Sequence, residues 1–291
     1  HIIVGTPGSG EENLRKANFN LDNLTTLVLD EADRMLDMGF QEALDNIISY
    51  MPDERQTLLF SATYPSKIEK IAQRIMRSPV TVEVQDSHTN QSIVQTLYQV
   101  DSDDSRTEAV RLLLQAHQPE TTLIFCNTKI ETDQVANELR AVGYEALALH
   151  GDLEQKERDQ TLVRFANRSA SVLVATDVAA RGLDIDALDL VINYQVAREL
   201  EVHTHRIGRT GRAGAQGIAC TLHTQKENHK IGLLEDYLKQ KLERDDLPPI
   251  ALLRQPAFYP PMVTIQIGGG KKQKVRAGDI VGALTGEGGI P

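Results

Sequence analysis

Short apolar runs alternate with longer amphipathic stretches along most of this 291-residue chain, and this alternation most constrains its fold. Runs rich in β-branched and aliphatic residues are typical of buried strands. The predicted strands are residues 2–4, 25–29, 56–61, 80–84, 96–100, 121–126, 146–149, 172–175, 188–193 and 217–222. The predicted helices are residues 40–51, 65–76, 106–117, 131–142 and 155–165. Because strands and helices alternate, the sequence predicts an α/β fold with parallel sheets covered by helices on both faces.

Length and composition narrow the class of protein further. The chain is long enough for two domains. No apolar run approaches membrane-spanning length and no basic-apolar leader is present, so we expect a cytoplasmic protein without a membrane partner. Cys126 and Cys220 lie in strand-like runs and are expected to be buried free thiols. The net charge of −10 argues against a nonspecific nucleic-acid coat but allows a local basic track.

An acidic tetrapeptide, Asp30-Glu31-Ala32-Asp33, directly follows the predicted strand 25–29. In open α/β sheets, ligands bind at the carboxyl ends of the strands. Mg²⁺ keeps most of its waters and takes one or two protein carboxylates. Asp30 is therefore predicted to hold the hydrated Mg²⁺ of a nucleotide, and Glu31 to orient or deprotonate the attacking water. A helix start with acids near its positive end is the alternative, and these four residues alone leave both open.

Further short motifs stand at other predicted strand ends. In chain order they are Thr6-Pro7-Gly8, Ser61-Ala62-Thr63, Leu123 to Thr128, Gln155 to Arg158, Thr176 to Asp184 and His205 to Arg212. Together with the acidic tetrapeptide and in this order, they resemble the DEAD-box family of ATP-dependent RNA helicases. The resemblance covers residues 6–212. It implies two RecA-like domains, the first one partial, that close on ATP and RNA and separate short RNA duplexes.

The resemblance also implies roles for individual residues. Arg209 and Arg212 match arginines that reach the γ-phosphate, and with Asp30 and Glu31 they form the implied catalytic set. Gly182 and Asp184 match the segment that contacts the nucleotide ribose, so they join the two arginines in binding ATP. The residues implied to couple the domains are Asp33, Ser61, Thr63 and His205. The residues implied to touch RNA are Thr6, Gly8, Thr128, Arg158 and Thr176, with Lys271, Lys272 and Lys274 near the C-terminal end.

Each of these residues also has a plainer interpretation. Arg209 and Arg212 could form a solvated helix face, and Asp184 could cap a turn. Ser61 and Thr63 could cap the helix that begins at Pro65, a role compatible with the first. A zinc site at His203 and His205 is not expected, because no further ligands stand at metal spacing. Ser9 departs from the family, which usually has arginine after Thr-Pro-Gly, so the RNA contact at this point lacks its usual brace.

A third segment begins after two proline-bearing stretches. Residues 263–267 are predicted to form a strand and residues 277–284 a helix, with the basic cluster Lys271, Lys272, Lys274 and Arg276 between them. This stretch resembles the start of the RRM-like RNA-binding domain of the bacterial DbpA subfamily. The resemblance implies a ribosomal RNA partner and a role in large-subunit assembly. About thirty residues are too few to bury a core, so we expect the segment to be disordered or loosely docked.

These assignments predict the following domain organisation. The segments are 1–84, the C-terminal part of the first RecA-like domain; 85–93, a linker; 94–247, the second RecA-like domain; 248–261, a linker; and 262–291, the truncated start of the RNA-binding domain. We expect a monomer.

The phosphate-cradling pattern G-x-x-x-x-G-K-[ST] does not occur in the 291 residues. Neither end resembles a natural terminus, so we expect an internal fragment of a helicase. The alternative function is a non-catalytic RNA-binding fragment without RNA-stimulated ATPase activity. A DNA helicase of the wider superfamily is a third possibility, which the acidic tetrapeptide and residues 205–212 disfavour.

Overall fold

The computed structural model describes residues 2–61, 64, 66–83, 93–180, 185, 187–211 and 216–286. The chain divides into two compact units, His1–Gln85 and Asp86–Pro291, which we call unit 1 and unit 2. No helix in these described ranges is both long enough and apolar enough to cross a bilayer. The predicted connector at residues 85–93 falls almost entirely outside the described residues.

Unit 1 is built on two parallel strands. Its elements are α1 (Pro7–Arg15), β1 (Thr26–Leu29), α2 (Ala32–Asp37), α3 (Gln41–Ser49), β2 (Gln56–Leu59) and α4 (Ser66–Ile75). Strands β1 and β2 pair in register with Leu29 opposite Leu59. Leu29 packs with Leu44 of α3 and Ile71 of α4 in the unit's core. The helices predicted over 40–51 and 65–76 are confirmed, with ends shifted by one or two residues.

Three expectations for unit 1 are wrong. Residues 2–4 and 80–83 form no strand, and Ile2 and Val80 are 92% and 87% exposed. A strand needs a hydrogen-bonded neighbour, and among the described residues β1 and β2 pair only with each other. Strand β1 is also buried on one face only, because Val28 is 52% exposed while Leu29 is buried. The last residue of the predicted strand, Val84, lies outside the described residues.

Unit 2 contains a seven-stranded sheet in the order β5-β6-β4-β7-β8-β3-β9, with every pairing parallel. Its strands are β3 (Ile93–Val100), β4 (Thr122–Cys126), β5 (Ala146–Leu149), β6 (Val172–Thr176), β7 (Leu190–Asn193), β8 (Gly217–Thr224) and β9 (Glu243–Asp245). Its helices are α5 (Arg106–His117), α6 (Lys129–Ala141), α7 (Gln155–Ala166), α8 (Asp177–Ala180), α9 (Leu200–Ile207), α10 (Asn228–Leu238) and α11 (Ala277–Thr285). Buried clusters cover both faces of the sheet. The predicted α/β class is confirmed.

Strand β9 was not predicted, because its three charged residues are exposed and carry no apolar pattern. The segment that contains β9 is positioned by a buried carboxylate. Glu235 of α10 is 4% exposed and accepts hydrogen bonds from Lys241 Nζ at 2.7 Å and Leu242 N at 3.2 Å. Arg244 Nη2 lies 2.9 Å from the same side chain. This ion cluster, centred on one buried carboxylate with two exposed cations, helps to place the edge strand beside β3.

The C-terminal segment differs from its predicted structure. Residues 263–267 form no strand, and Val263 is 86% exposed. The basic cluster therefore lies on an irregular stretch with a short 3₁₀ turn at Lys271–Gln273, not on a strand and turn. An isolated strand has no partner for its backbone groups, which explains the difference. The helix predicted over 277–284 is confirmed as α11.

Both cysteines are buried free thiols, as predicted. Cys126 ends β4 and Cys220 lies in β8. Burial raises the pKa of Cys220 to about 12, and it also raises the pKa of Cys126. Both thiols therefore stay protonated and unreactive at neutral pH.

Arg106, at the start of α5, is 1% exposed and joins the ends of three elements. Its guanidinium donates to Tyr194 O at 2.7 Å, Leu222 O at 3.1 Å and Glu227 Oε2 at 2.5 Å. It also lies over the Tyr194 ring, 6.0 Å from the centroid. One buried cation thus satisfies carbonyls at the ends of β7 and β8.

We expect Arg106→Ala to lower the free energy of unfolding by about 3–5 kcal/mol, because it removes the partner of the partly buried Glu227 carboxylate and of two carbonyls. Chemical denaturation followed by circular dichroism measures the loss. Arg164→Ala is the matched control, because Arg164 is 42% exposed and pairs with Glu145 at the surface. That control should cost about 0–1 kcal/mol. Similar losses for the two variants would contradict the role given to Arg106.

Candidate functional site

The acidic tetrapeptide of unit 1 lies at the carboxyl end of β1, where it was predicted. Asp30 and Glu31 are exposed, and the Glu31 N–H donates to Asp30 Oδ1 at 2.9 Å. Glu31 has a φ of +51°, in the left-handed region. A non-glycine residue there costs on the order of 1–3 kcal/mol, which the surrounding structure must offset. The turn redirects the chain from β1 into α2 within two residues and projects both carboxylates outward.

The end of β2 fixes this turn. Ala32 N donates to Phe60 O at 3.0 Å, and Phe60 N donates to Leu29 O at 2.8 Å. Asp33 N donates to Ser61 Oγ at 3.2 Å, which places the serine hydroxyl against the tetrapeptide. Thr63, the other residue implied at this position, lies outside the described residues.

The acidic pair fits a hydrated magnesium ion. One carboxylate oxygen of Asp30 accepts a hydrogen bond from the Glu31 N–H. Both carboxylates are exposed and can accept further hydrogen bonds from metal-bound water. Within the part of the chain that the structure describes, no group of three or more His, Cys, Asp or Glu side chains could hold a metal directly. Contact through water is the mode that magnesium prefers.

In unit 2, the residues that follow strands β4, β6 and β7 meet at the carboxyl edge of the sheet. A buried arginine joins them. Arg206 of α9 is 1% exposed. It pairs with both oxygens of Asp177 after β6, through Nε at 2.6 Å and Nη2 at 2.8 Å. It also donates to Asn127 Oδ1 after β4 at 2.8 Å and to Gln195 O after β7 at 3.0 Å. A single side chain therefore links three strand ends.

The sequence assigned no role to Arg206, although it lies between His205 and Arg209. An arginine in a motif of exposed, functional residues carries no local sign that it is buried. In the structure, His203 one turn earlier and the adjacent Ile207 are buried with it on the same helix. The guanidinium also lies over the Phe125 ring, 5.3 Å from its centroid.

His205 and Arg209 lie beside this ion pair. They line a small cleft together with Asp177, Phe125 and Arg206. Both side chains are partly exposed. The backbone of Arg209 is held on each side, because its carbonyl accepts from Leu188 N at 3.0 Å and its N–H donates to Arg206 O at 3.3 Å. The ion pair of the buried Arg206 thus sets the position from which Arg209 emerges.

Three residues implied to touch RNA lie at or near this carboxyl edge. Thr128 caps α6, accepting from Glu131 N at 3.2 Å and donating to Glu131 Oε2 at 2.8 Å. Thr176 ends β6 and is 9% exposed. Arg158 of α7 donates to Ala179 O at 2.7 Å. Each has a structural contact, so any RNA contact must share these groups.

The remaining predicted residues are spread over the chain. In unit 1, Thr6 is the exposed N-cap residue of α1 and Gly8 lies in the first turn of that helix. Lys272 and Lys274 are exposed, and Arg276 precedes α11. Gly182, Asp184, Arg212 and the side chain of Lys271 lie outside what the structure describes.

His203 is buried one turn before Ile207, and it is not available to bind a metal or a substrate. Its Nε2 lies 3.1 Å from Gln95 Oε1, and the side chain is 1% exposed. Burial, with the nearby Arg206 cation, lowers the pKa of His203 to about 4. The ring is therefore neutral at physiological pH and acts as a core residue.

Comparisons with known proteins agree with this arrangement. The family description "DEAD/DEAH box helicase" matches residues 1–71, "Helicase conserved C-terminal domain" matches residues 105–214, and "DbpA RNA binding domain" matches residues 264–291. The ATP-dependent RNA helicase DbpA of Escherichia coli K12 is 49% identical over 290 residues, which cover 100% of this chain and 63% of that protein.

Two solved structures give the same result. Dbp5 of Saccharomyces cerevisiae bound to RNA and ADP BeF3 is 30% identical, with a TM-score of 0.76 over 85% of this chain and 66% of that chain. The Escherichia coli DEAD-box protein SrmB bound to regulator of ribonuclease activity A is 30% identical, with a TM-score of 0.51 over 58% of this chain and 98% of that chain. The chain therefore belongs to the DEAD-box helicase family, and within it to the DbpA type. Its two units correspond to RecA-like helicase domains.

We expect the stability of unit 2 to fall between pH 6.5 and pH 4 because of His203. The unfolded chain protonates this residue near 6.5 and the folded chain only near 4, so acid favours unfolding within that window. The loss for His203 alone is at most roughly 3 kcal/mol. Denaturation midpoints measured across the window, for the parent chain and for His203→Gln, check the prediction.

The His203→Gln variant should have a shallower pH dependence than the parent chain. His229→Gln is the matched control, because His229 is exposed. It should retain the parent slope. Equal slopes for the parent chain and His203→Gln would contradict the prediction.

Proposed function

We propose that the whole protein is an RNA-dependent ATPase that uses ATP and Mg²⁺ to separate short RNA duplexes. The chain spans 63% of the Escherichia coli relative, so this activity is inferred for the protein and not for residues 1–291 alone. The observation that carries the proposal is the exposed Asp30–Glu31 pair at the tip of β1. Its strained backbone is held by bonds to the end of β2.

Asp30 and Glu31 take different roles in this proposal. Mg²⁺, when bound, neutralises developing phosphate charge, and Asp30 orients its water shell. Glu31 accepts a proton from the attacking water or holds it in line. Ser61, through its bond to Asp33 N, links the same turn to the end of β2. We infer that this link communicates ligand binding within unit 1.

Arg209 supplies positive charge to the transferred phosphoryl group in this proposal, together with Arg212. Support comes from the pairing of the buried Arg206 with Asp177, which fixes the backbone from which Arg209 emerges. Preorganised charge is effective because it needs no rearrangement at the moment of reaction. His205 is assigned to coupling with Asp33, while Gly182 and Asp184 are assigned to the nucleotide ribose.

RNA is proposed to bind through phosphate and sugar contacts, which suits an enzyme that cannot depend on one sequence. Thr6 and Gly8 contribute from unit 1, and Thr128, Arg158 and Thr176 from the carboxyl edge of unit 2. The lysines of the C-terminal cluster contribute a further basic surface. We infer a ribosomal RNA target, a role in large-subunit assembly, a cytoplasmic location and a monomeric state.

The alternative function is RNA binding without catalysis by the 291-residue chain. The absence of a G-x-x-x-x-G-K-[ST] pattern from these residues favours it for the chain tested by itself. ATP hydrolysis measured with and without RNA separates the two functions. RNA-stimulated turnover by the whole protein supports the helicase proposal, and RNA binding without any turnover by the whole protein rejects it.

We expect Glu31→Gln in the whole protein to reduce turnover on the order of 10²–10⁴-fold, because the amide cannot accept the water proton. ATP and RNA affinity should change little, since the binding energy comes from phosphate and metal contacts. Steady-state hydrolysis and fluorescence anisotropy measure the two effects. Glu42→Gln, an exposed glutamate in the first turn of α3, is the matched control and should behave as the parent protein.

We expect Arg209→Ala to lower turnover on the order of 10³-fold, with RNA affinity changed by less than about threefold. The reason is that its charge acts mainly in the transition state. The Arg164→Ala variant controls for the loss of a surface arginine in unit 2. Equal losses in RNA affinity and turnover would assign Arg209 to RNA binding instead.

A further inference from the structure

The chain that leaves β9 stays in contact with unit 2 instead of extending into solvent. We call residues 247–266 the strap. Leu247, Ala257 and Phe258 pack against the larger core cluster of the unit. Between them, a 3₁₀ helix at Ile250–Arg254 lies along α5. The strap includes the whole of the predicted linker, residues 248–261.

The first anchor of the strap is a buried amide and an aromatic pair. Gln115 of α5 is 5% exposed, and its Nε2 donates both to Tyr144 OH at 2.8 Å and to Pro256 O at 3.0 Å. The Phe258 ring meets the Tyr144 ring edge-on, with centroids 5.4 Å apart and an interplanar angle of 80°. Removal of the strap would leave a buried donor without one acceptor and expose the face of a core tyrosine.

A close approach supports this anchor. Gly143 has a φ of +100°, and a Cβ built on it would lie 3.4 Å from the Ala257 methyl group. A side chain longer than a methyl group at Gly143 would push the strap outward.

The second anchor lies on the turn between α7 and β6. Met262 N donates to Arg168 O at 3.3 Å, and Thr264 Oγ1 hydrogen-bonds Ser169 Oγ. Further along, Gln160 Nε2 donates to Gln266 Oε1 at 3.3 Å. The two anchors together hold the strap over about ten residues, from Pro256 to Gln266.

Both anchors lie at the amino edge of the sheet. Tyr144 precedes β5, and Ser169 precedes β6. Thr128, Thr176 and Arg206 belong to the opposite, carboxyl edge. A strand of five residues such as β4 separates the edges by about 17 Å, at roughly 3.3 Å per residue.

After Gln266, the hydrogen bonds of the described residues no longer reach the rest of unit 2. Within the described residues 268–286, the hydrogen bonds are local, such as Gly270 N to Gln273 Oε1 and Arg276 N to Asp279 Oδ2. The basic cluster therefore begins where the strap ends, and its starting point is set by the strap.

We propose that the strap is a permanently docked part of unit 2 that delivers the basic C-terminal element to the amino edge of the sheet. The consequence for RNA binding rests on the proposed function. RNA bound by the basic element then approaches unit 2 from the edge opposite Thr128 and Thr176, the residues proposed to contact RNA. The two proposed RNA contacts therefore lie at opposite edges of the unit 2 sheet.

Hydrogen–deuterium exchange on the 291-residue chain without RNA tests the docking. Phe258→Ala should raise amide exchange across residues 256–266 by about tenfold or more, including at Met262. Tyr259→Ala is the matched control, since the neighbouring tyrosine is 82% exposed, and it should change exchange by less than about twofold. Thr264→Val is a second, isosteric variant, which should loosen the far anchor while leaving the aromatic pair intact.

A distance measurement by electron paramagnetic resonance tests the position. One spin label is placed at Glu108→Cys, an exposed residue in the first turn of α5, and the other at Val263→Cys in the strap. Labelling is specific to these two sites because both native cysteines are buried. One narrow distance distribution is expected in the parent chain and in Tyr259→Ala. A broad distribution is expected in Phe258→Ala.

Two results would overturn the proposal: a broad distribution in the parent chain, or equal exchange of the strap in Phe258→Ala and Tyr259→Ala. Both measurements are made without ATP or RNA. A negative result therefore counts against the docked strap and leaves the helicase proposal untouched, while a lack of ATPase activity leaves the docked strap untouched.

Discussion

The guanidinium of Arg206 is the interaction on which the candidate site of unit 2 depends. Three loops that follow three different strands converge on it through Asp177, Asn127 and Gln195. Without this cation, two polar side chains and a carbonyl at the sheet edge would lose their partner. Loss of one partner of a buried ion pair costs about 3–5 kcal/mol. His205 on the same helix and Arg209 just beyond its end, both partly exposed, therefore depend on a neighbour that the solvent does not reach.

In unit 1, the strand ends are joined mainly by backbone hydrogen bonds, with one serine hydroxyl. The turn after β1 places Glu31 in a left-handed conformation, and the chain after β2 stabilises that turn through Phe60 O and Ser61 Oγ. Strain at this point serves to aim two carboxylates out of the sheet. In both units, then, the strand ends are tied together first, and the groups proposed for catalysis project from the tied structure.

The two edges of the unit 2 sheet carry different tasks. The carboxyl edge gathers Asp177, Arg206 and the residues proposed to meet RNA and ATP. The amino edge receives the strap through Tyr144 and Ser169. Under the proposed function, this separation would let the C-terminal element and the site edge contact RNA without competing for the same surface.

The sequence by itself determined the alternating pattern of unit 2, its buried cysteines and the placement of the acidic tetrapeptide at a strand end. These follow from local apolar periodicity, which neighbouring residues suffice to define. Only the tertiary structure decided the rest. Residues 2–4, 80–83 and 263–267 have strand-like composition but no strand, because a strand exists only with a paired neighbour. Arg206 and Gln115 owe their roles to partners far away in the chain, and burial of a polar side chain among such partners leaves no local signature.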